Sequence, residues 1–150
     1  TARIASNGKK ITPTIFKDKQ NKEFEQIPDI LNHIKLIKES MFKVVNEQKG
    51  TANYSLRNAQ LLSKDDRYLF SGKTGTSQVK RIVLSERESE DFRKKEIEWK
   101  DRDHALFVGY MPSSKPKYSI SVVVEHGGSG ASTAAPIAKD IFNYIYKLGL

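Results

Sequence analysis

The chain has 150 residues, of which 37% are hydrophobic and 29% are charged, and this composition fits one globular domain. It contains no run of about 18 apolar residues, which excludes a transmembrane helix within it. The lack of cysteine excludes disulfides, thiolate nucleophiles and cysteine-ligated zinc. The formal net charge is +8, but the excess is spread thinly along the chain, so nucleic acid is not predicted as a partner.

The first residues, 1–6, are predicted to form the last turns of a helix. Asn7-Gly8 then acts as a helix stop, because glycine adopts the left-handed conformation at little cost. Residues 9–16, KKITPTIF, have the composition of a strand, and Pro13 would confine that strand to a sheet edge. A chain that begins inside a helix end is expected to belong to a longer protein.

An amphipathic helix is predicted after a polar surface connection at residues 16–26. It starts near Pro28 and Asp29 and ends at Gly50, because apolar residues recur at steps of three and four. A short helix or loop follows, and residues 67–84, RYLFSGKTGTSQVKRIVL, have the hydroxyls and aromatics of a strand. The predicted buried face of the amphipathic helix consists of Leu31, Ile34, Ile37, Met41, Val44 and Val45.

Residues 85–103 hold eight acidic and six basic side chains and are predicted to be a solvated excursion. HALFVGYMP and KYSISVVVEH then form two strands joined by a turn at SSKP, which favours an antiparallel pair. After a bend at GGSGAS, residues 134–148 form a closing helix with Pro136 in its first turn. These elements predict an α+β fold, an antiparallel sheet with helices packed on it. The predicted apolar face of the closing helix is Ile137, Ile141, Phe142, Ile145 and Leu148.

The stretch FSGKTGTSQVK, residues 70–80, is the candidate site, and two chemistries are excluded for it first. A phosphate-binding loop needs G-x-x-x-x-G-K-[ST], but Arg67 stands where the first glycine is required. A nucleophile elbow, G-x-S-x-G, is absent because residue 131 in GGSGAS is alanine. The histidines have no metal-ligand spacing and are predicted to be structural; they are His33, His104 and His126.

Lys73-Thr74-Gly75 matches the K-T-G motif of the penicillin-recognising serine enzymes. There, a lysine ammonium supplies positive charge beside the nucleophile, hydroxyls bind a substrate carboxylate, and glycine leaves room for an acyl group. A backbone N–H of such a strand faces the developing oxyanion, where one donor is worth about 3–4 kcal/mol. Three residues alone are weak evidence, so the interpretation depends on the sequence around them.

The surrounding segments resemble the end of the class B penicillin-binding proteins, and within them the branch that serves cell elongation. The matching segments run from about residue 2 to residue 148 and are ARIASNGKKITP, VVNEQKGTA, SGKTGTSQ and HALFVGYMPSSKPKYSISVVVEHGGSGASTAAPIAKDIF. As a joined set these motifs are highly specific. The resemblance implies the C-terminal portion of a penicillin-binding or β-lactamase-like transpeptidase fold.

The resemblance also implies roles for the residues that match. Lys73 and Thr76 are expected to be catalytic, Lys73 as the motif cation and Thr76 through a backbone N–H that forms half of the oxyanion hole. Lys73, Thr74, Gly75 and Thr76 are expected to bind the substrate or a β-lactam, with both threonine hydroxyls on its carboxylate. No metal and no cofactor is implied. The turn into the last helix is assigned to Gly127, Gly128 and Gly130.

Two motifs that should precede K-T-G in this family are missing. Ser63-x-Asp65 lies too close to Lys73 to serve as S-x-N, and Ser40/Lys43 lies in a segment that matches a structural helix. The chain, residues 1–150, is therefore expected to be the C-terminal fragment of one transpeptidase domain without its nucleophilic serine, with a surface insertion at residues 80–103. The S-x-x-K pattern occurs at Ser6/Lys9, Ser40/Lys43, Ser77/Lys80 and Ser114/Lys117.

The resemblance implies a peptidoglycan D,D-transpeptidase that cross-links D-Ala-D-Ala stem peptides through an acyl-serine intermediate and binds β-lactam antibiotics. Its expected place is the periplasmic face of the bacterial inner membrane, with proteins of the cell-elongation machinery as partners, and the chain alone is expected to be inactive. A β-lactamase or D,D-carboxypeptidase of the same superfamily is an alternative. A non-enzymatic basic interaction module is another, although RNA-binding aromatics and a basic helix are not found.

Overall fold

The computed structural model describes residues 1–13, 15, 24–27, 31–57, 69–80 and 97–149. Its helices are α1 (Ala2–Ala5), α2 (Leu31–Asn46), α3 (Asn53–Arg57) and α4 (Ala135–Lys147). Its strands are β1 (Ser71–Ser77), β2 (His104–Met111) and β3 (Tyr118–Val124). A 3₁₀ turn at Trp99–Asp101 precedes β2, and a turn of π-helix at Gly130–Ala134 leads into α4.

The three strands form one antiparallel sheet in the order β1-β2-β3. Ser71 lies opposite Tyr110 at one end of the β1–β2 pair, and Ser77 lies opposite His104 at the other. Among the described residues, no second strand pairs with β1. The α+β prediction and the antiparallel β2–β3 pair are confirmed, and the K-T-G sequence lies on a strand at the edge of this sheet.

The main core lies between one face of the sheet and α4. Phe107 of β2, Phe70 just before β1 and Phe142 of α4 are at most 2% exposed. The Phe70 ring centroid is 6.2 Å from that of Phe107 and 5.3 Å from that of Phe142. Val45 of α2 joins the same cluster. This aromatic contact anchors the start of β1 to the sheet and to the last helix.

A second, smaller cluster lies on the opposite face of the sheet. Side chains alternate along a strand, so Tyr110 points away from the face that carries Phe107. Tyr110 is fully buried and packs with Met41 of α2 and Ala5 of α1. Because α2 contributes to both clusters, it ties the two faces together beside β1.

The strand predicted near the N-terminus is not formed in its described residues, although the helix stop is confirmed. Asn7 and Gly8 have φ of 58° and 89° directly after α1. Beyond them, Lys9 makes only an isolated bridge to Gln26. The Ile11 N–H donates to the carbonyl of Lys9, so the backbone turns instead of extending. Residues 14 and 16 of this prediction, and most of the predicted connection at 16–26, lie outside the described residues.

The predicted amphipathic helix exists but is shorter and narrower than its pattern indicated. It ends at Asn46, not Gly50, and residues 28–30 lie outside the described part. Ile34, Met41 and Val45 are buried, but Ile37 is 41% exposed, so its placement in the core was wrong. Among the described residues, α2 meets the two clusters through Met41 and Val45, and the Ile37 side chain lies outside both of them.

The apolar face predicted for the closing helix was also largely wrong. Phe142 is buried and Ile145 is partly buried, but the exposed fractions of Ile137 and Ile141 are 40% and 41%, and that of Leu148 is 54%. The helix instead approaches the sheet through small side chains, because short side chains allow close packing against a strand. The buried small residues are Ala134, Ala135 and Ala138.

Candidate active site

The four predicted site residues lie next to one another on β1, at the edge of the described sheet. Strand alternation places Lys73 and Gly75 on one face, opposite Val108 and Leu106 of β2. Thr74 and Thr76 therefore lie on the other face. A ligand that lay along this edge would meet the two threonine hydroxyls together with the Lys73 ammonium, which folds back towards Thr74.

Lys73 is exposed and its ammonium folds back onto its own strand. Nζ donates to the backbone carbonyl of Thr74 at 2.6 Å and lies 3.5 Å from Thr74 Oγ1. The cation is therefore adjacent to the first threonine hydroxyl of the motif.

Thr51, in the turn between α2 and α3, contacts the site strand although sequence reasoning did not select it. Its Oγ1 lies 3.2 Å from Thr74 Oγ1, and either atom can be the donor. Thr51 belongs to the segment VVNEQKGTA that carried part of the family resemblance. A sequence signal was therefore present, but it did not assign the residue to the site.

Gly130 contacts the other threonine of the motif. Its N–H donates to Thr76 Oγ1 across a long 3.5 Å contact. A Cβ at Gly130 would lie 2.2 Å from the carbonyl oxygen of Gly75 and 2.4 Å from that of Leu106. Sequence reasoning assigned Gly130 to a turn, whereas its distinctive requirement is close approach to β1. Gly128, with φ of 80°, has the conformation expected of a turn glycine.

An aromatic cluster lies at the end of β1, where Ser77 is paired with His104. The backbone N–H of His126 donates to His104 Nδ1 at 2.9 Å, and the two rings lie 4.7 Å apart. Trp99 packs on His126 with a centroid distance of 4.4 Å. Within the described residues, no three histidine, aspartate or glutamate side chains are grouped as metal ligands.

The geometry of Ser40 and Lys43 agrees with their interpretation as a solvated helix pair. The Ser40 hydroxyl donates to the carbonyl of Leu36 at 2.8 Å, one turn earlier. Lys43 Nζ forms an ion pair with Glu39 at 3.1 Å, and this hydrogen bond raises the pKa of Lys43. Each group is engaged within the helix, and both residues are exposed.

A cavity of about 320 Å³ lies near the start of β1, on the face that carries Tyr110. Lys38, Ser71 and Tyr110 line it, whereas Lys73 and Thr76 do not. Burial raises the pKa of Tyr110, with a smaller opposing effect of its hydrogen bond to Ser71. Burial lowers the pKa of Lys38, whose Nζ donates to Asn7 Oδ1 at 2.8 Å. This cavity is therefore distinct from the candidate site.

The fold and the hydroxyl-lined edge strand define the class of protein. Residues 1–143 match the family model described as the penicillin binding protein transpeptidase domain, and the chain belongs to that family. No helix in the described ranges has both the length and the apolar character needed to cross a membrane. The predicted insertion at 80–103 falls mostly in residues 81–96, outside the described part.

Several proteins similar to this chain are named peptidoglycan D,D-transpeptidase or penicillin-binding protein 2. The chain is 30% identical to the peptidoglycan D,D-transpeptidase MrdA of Haemophilus influenzae, over 96% of this chain and 22% of that protein. Penicillin-binding protein 2 of Pseudomonas aeruginosa in complex with WCK 5153 matches with a TM-score of 0.64 and 28% identity, over 96% of this chain and 28% of that one. Penicillin-binding protein 2 of Helicobacter pylori in complex with MreC matches with a TM-score of 0.63 and 26% identity, over 87% of this chain and 21% of that one. The chain thus resembles penicillin-binding protein 2 and spans between about a fifth and somewhat more than a quarter of these relatives' length.

Proposed function

We propose that the chain is the C-terminal part of one transpeptidase domain in a peptidoglycan D,D-transpeptidase. The observation that carries the proposal is the edge strand β1, where Lys73, Thr74, Gly75 and Thr76 follow one another beside two further contacts from Thr51 and Gly130. The nucleophilic serine and its base are assigned to sequence outside this chain. Residues 80–103 are assigned to a surface insertion of the domain.

In the proposed reaction, the serine hydroxyl attacks the carbonyl of the penultimate D-alanine of a donor stem peptide. The base removes the serine proton, an acyl-serine forms, and terminal D-alanine leaves after it has accepted a proton. An amine of a neighbouring stem peptide then attacks the acyl-serine and restores the free hydroxyl. Without the serine neither step can run, so we expect the chain alone to be inactive.

The residues of β1 bind and stabilise the reacting groups in this proposal. The hydroxyls of Thr74 and Thr76 donate to the donor's terminal carboxylate, and Lys73 supplies positive charge beside the serine. The Thr76 backbone N–H is one of the oxyanion donors, each worth about 3–4 kcal/mol in related acyl-transfer sites. Gly75 leaves space for the acyl chain. A β-lactam binds in the same place, because it carries a carboxylate next to a reactive carbonyl.

The expected location is the periplasmic face of the inner membrane, through an anchor outside this chain. The Helicobacter pylori penicillin-binding protein 2 was solved in complex with MreC, which supports a partner from the elongation machinery here as well. Relatives that are D,D-transpeptidases favour this function over a β-lactamase or a D,D-carboxypeptidase. The family match argues against a non-enzymatic basic module.

Covalent labelling by a fluorescent penicillin tests the proposal. The longer protein that carries this sequence should be labelled on a denaturing gel, and the 150-residue chain should not. Lys73→Ala and Thr76→Val in the longer protein should slow labelling, while Lys100→Ala, a change to an exposed lysine in the turn before β2, should not. Label on the short chain would identify a local nucleophile such as Ser40. An unlabelled longer protein would contradict the function.

A further inference from the structure

Thr51 lies outside the K-T-G motif, yet its hydroxyl is within hydrogen-bond distance of the first motif threonine. The two Oγ1 atoms of Thr51 and Thr74 are 3.2 Å apart and separated by 23 positions in the chain. Thr51 is exposed and Thr74 is half-buried, so the pair lies at the surface of the site strand. The contact joins the turn after α2 to the residue proposed to bind a carboxylate.

The position of Thr51 is determined by the residues on either side of it. Gly50 has no room for a side chain, since a Cβ there would lie 2.3 Å from the carbonyl oxygen of Val44. Ala52 is fully buried, and its N–H donates to that same carbonyl of Val44 at 3.1 Å. The backbone at Thr51 is therefore held against the end of α2, so its side chain is presented to β1 by a fixed turn.

The hydrogen-bond capacity of Thr74 decides what this contact can do. A threonine hydroxyl has one proton to donate and two lone pairs that accept. Lys73 Nζ, which can only donate, approaches one side of Thr74 Oγ1 at 3.5 Å. If Thr51 donates to the same oxygen, the single proton of Thr74 is left to donate to a third group.

We propose that Thr51 is a positioning residue for the substrate carboxylate. Its hydroxyl donates to Thr74 Oγ1 and thereby directs the Thr74 proton towards a carboxylate that lies along β1. Successive hydrogen bonds polarise one another. The hydrogen bond from Thr74 to the carboxylate is therefore stronger when Thr51 donates to Thr74 than when it does not. The inference rests on the proposed function and adds a residue that the K-T-G motif does not contain.

The kinetic test uses the longer protein and the second-order rate constant of acylation by a fluorescent penicillin. Thr51→Val keeps the shape and removes the hydroxyl, and it should lower this constant about fivefold, mainly through weaker initial binding. Thr51→Ser should restore it. Thr12→Val is the matched control, because Thr12 is exposed in the N-terminal segment, and it should have no effect.

A double-mutant cycle separates positioning from a general structural role. If Thr51 acts through Thr74, Thr51→Val should have no further effect in a protein that already carries Thr74→Val. If the Thr51 hydroxyl only stabilises the turn, Thr51→Val should instead lower the melting temperature and the acylation rate both with and without Thr74→Val. Additive losses, or an unchanged rate for Thr51→Val, would overturn the inference.

Threonine-methyl NMR of the longer protein measures the side-chain conformation of Thr74 independently of catalysis. The coupling constants of Thr74 should report one χ1 rotamer in the unmodified protein and in Thr51→Ser, and rotamer averaging in Thr51→Val. Identical couplings in all three would refute a positioning role. If the rotamer change is seen but the longer protein is not labelled by penicillin, Thr51 still positions Thr74. That result would refute both the role of Thr51 in carboxylate binding and the proposed function.

Discussion

Gly130→Ala is the substitution whose consequence follows most directly from the geometry. Gly130 belongs to the turn before α4, and its backbone lies against β1 and β2. An added Cβ would lie 2.2 Å from the carbonyl oxygen of Gly75, 2.4 Å from that of Leu106 and 2.9 Å from the amide nitrogen of Gly75. All three are backbone atoms, so no side chain can rotate to make room.

The size of the expected effect follows from how far the backbone at Gly130 would have to move away from the backbone of β1. Ordinary van der Waals contact begins near 3.4 Å, so the turn and β1 must separate by about 1 Å. Forcing a group into a packed site costs about 1–3 kcal/mol of stability. A displacement of about 1 Å next to reacting groups costs about 100-fold in rate. We therefore expect Gly130→Ala to lose about 100-fold in acylation rate, which corresponds to about 2.7 kcal/mol of activation free energy, beside a loss of stability of similar size.

The assay measures the melting temperature and the acylation rate by a fluorescent penicillin in the longer protein. Gly128→Ala is the matched control, since Gly128 has φ of 80° but no atom of the described residues lies within 4 Å of an added Cβ. Left-handed backbone strain should cost the Gly128→Ala protein about 1–2 kcal/mol of stability, while the contact between Gly130 and β1 is kept. Gly128→Ala should therefore melt earlier than the unmodified protein and still be acylated at a similar rate.

Two results would refute this reasoning. An unchanged acylation rate in Gly130→Ala would mean that the turn does not determine the position of β1. An equal loss of rate in Gly128→Ala would mean that the conformation of the whole turn matters, and not the contact with Gly75.

Three further predictions concern the strand, the second cluster and the core. Gly75→Ala should slow acylation with little change in melting temperature, because within the described part of the chain its Cβ meets the Leu106 side chain alone, at 3.3 Å, yet fills space proposed for the acyl group; normal acylation would contradict that assignment. Because burial raises the pKa of Tyr110, the unfolded chain ionises first, so stability is complete below about pH 10 and is lost as pH rises through the folded pKa. Denaturation from about pH 9 to 11 should show this loss diminished in Tyr110→Phe, and equal loss in both proteins would exclude Tyr110 as its source. Phe142→Ala should lower the free energy of unfolding by about 3–5 kcal/mol, as measured by denaturant titration. Ile141→Ala, at a 41% exposed neighbour, should cost about 1 kcal/mol or less, and similar losses for both would contradict the observed face of α4.

The β2–β3 pair was predicted correctly from the sequence pattern, whereas the buried face of α4 was not. The strand pair was predicted correctly because alternation and a turn signal act over a few residues. The buried face of α4 was predicted from its largest apolar side chains, whereas the sheet contacts Ala135 and Ala138. Hydrophobic periodicity indicates that a helix has an apolar side. It does not show how closely the helix approaches the sheet, and at a short distance alanine packs better than isoleucine.

The sequence by itself determined the α+β class, the antiparallel strand pair and the placement of Lys73-Thr74-Gly75 on a strand, since each depends on neighbouring residues. Only the tertiary structure placed Thr51 and Gly130 against that strand. Thr51 is 23 positions from Thr74 and Gly130 is 54 positions from Thr76. The physical reason is that a hydrogen bond or a close backbone contact depends on distance in space, which packing of α2 and α4 around the sheet decides.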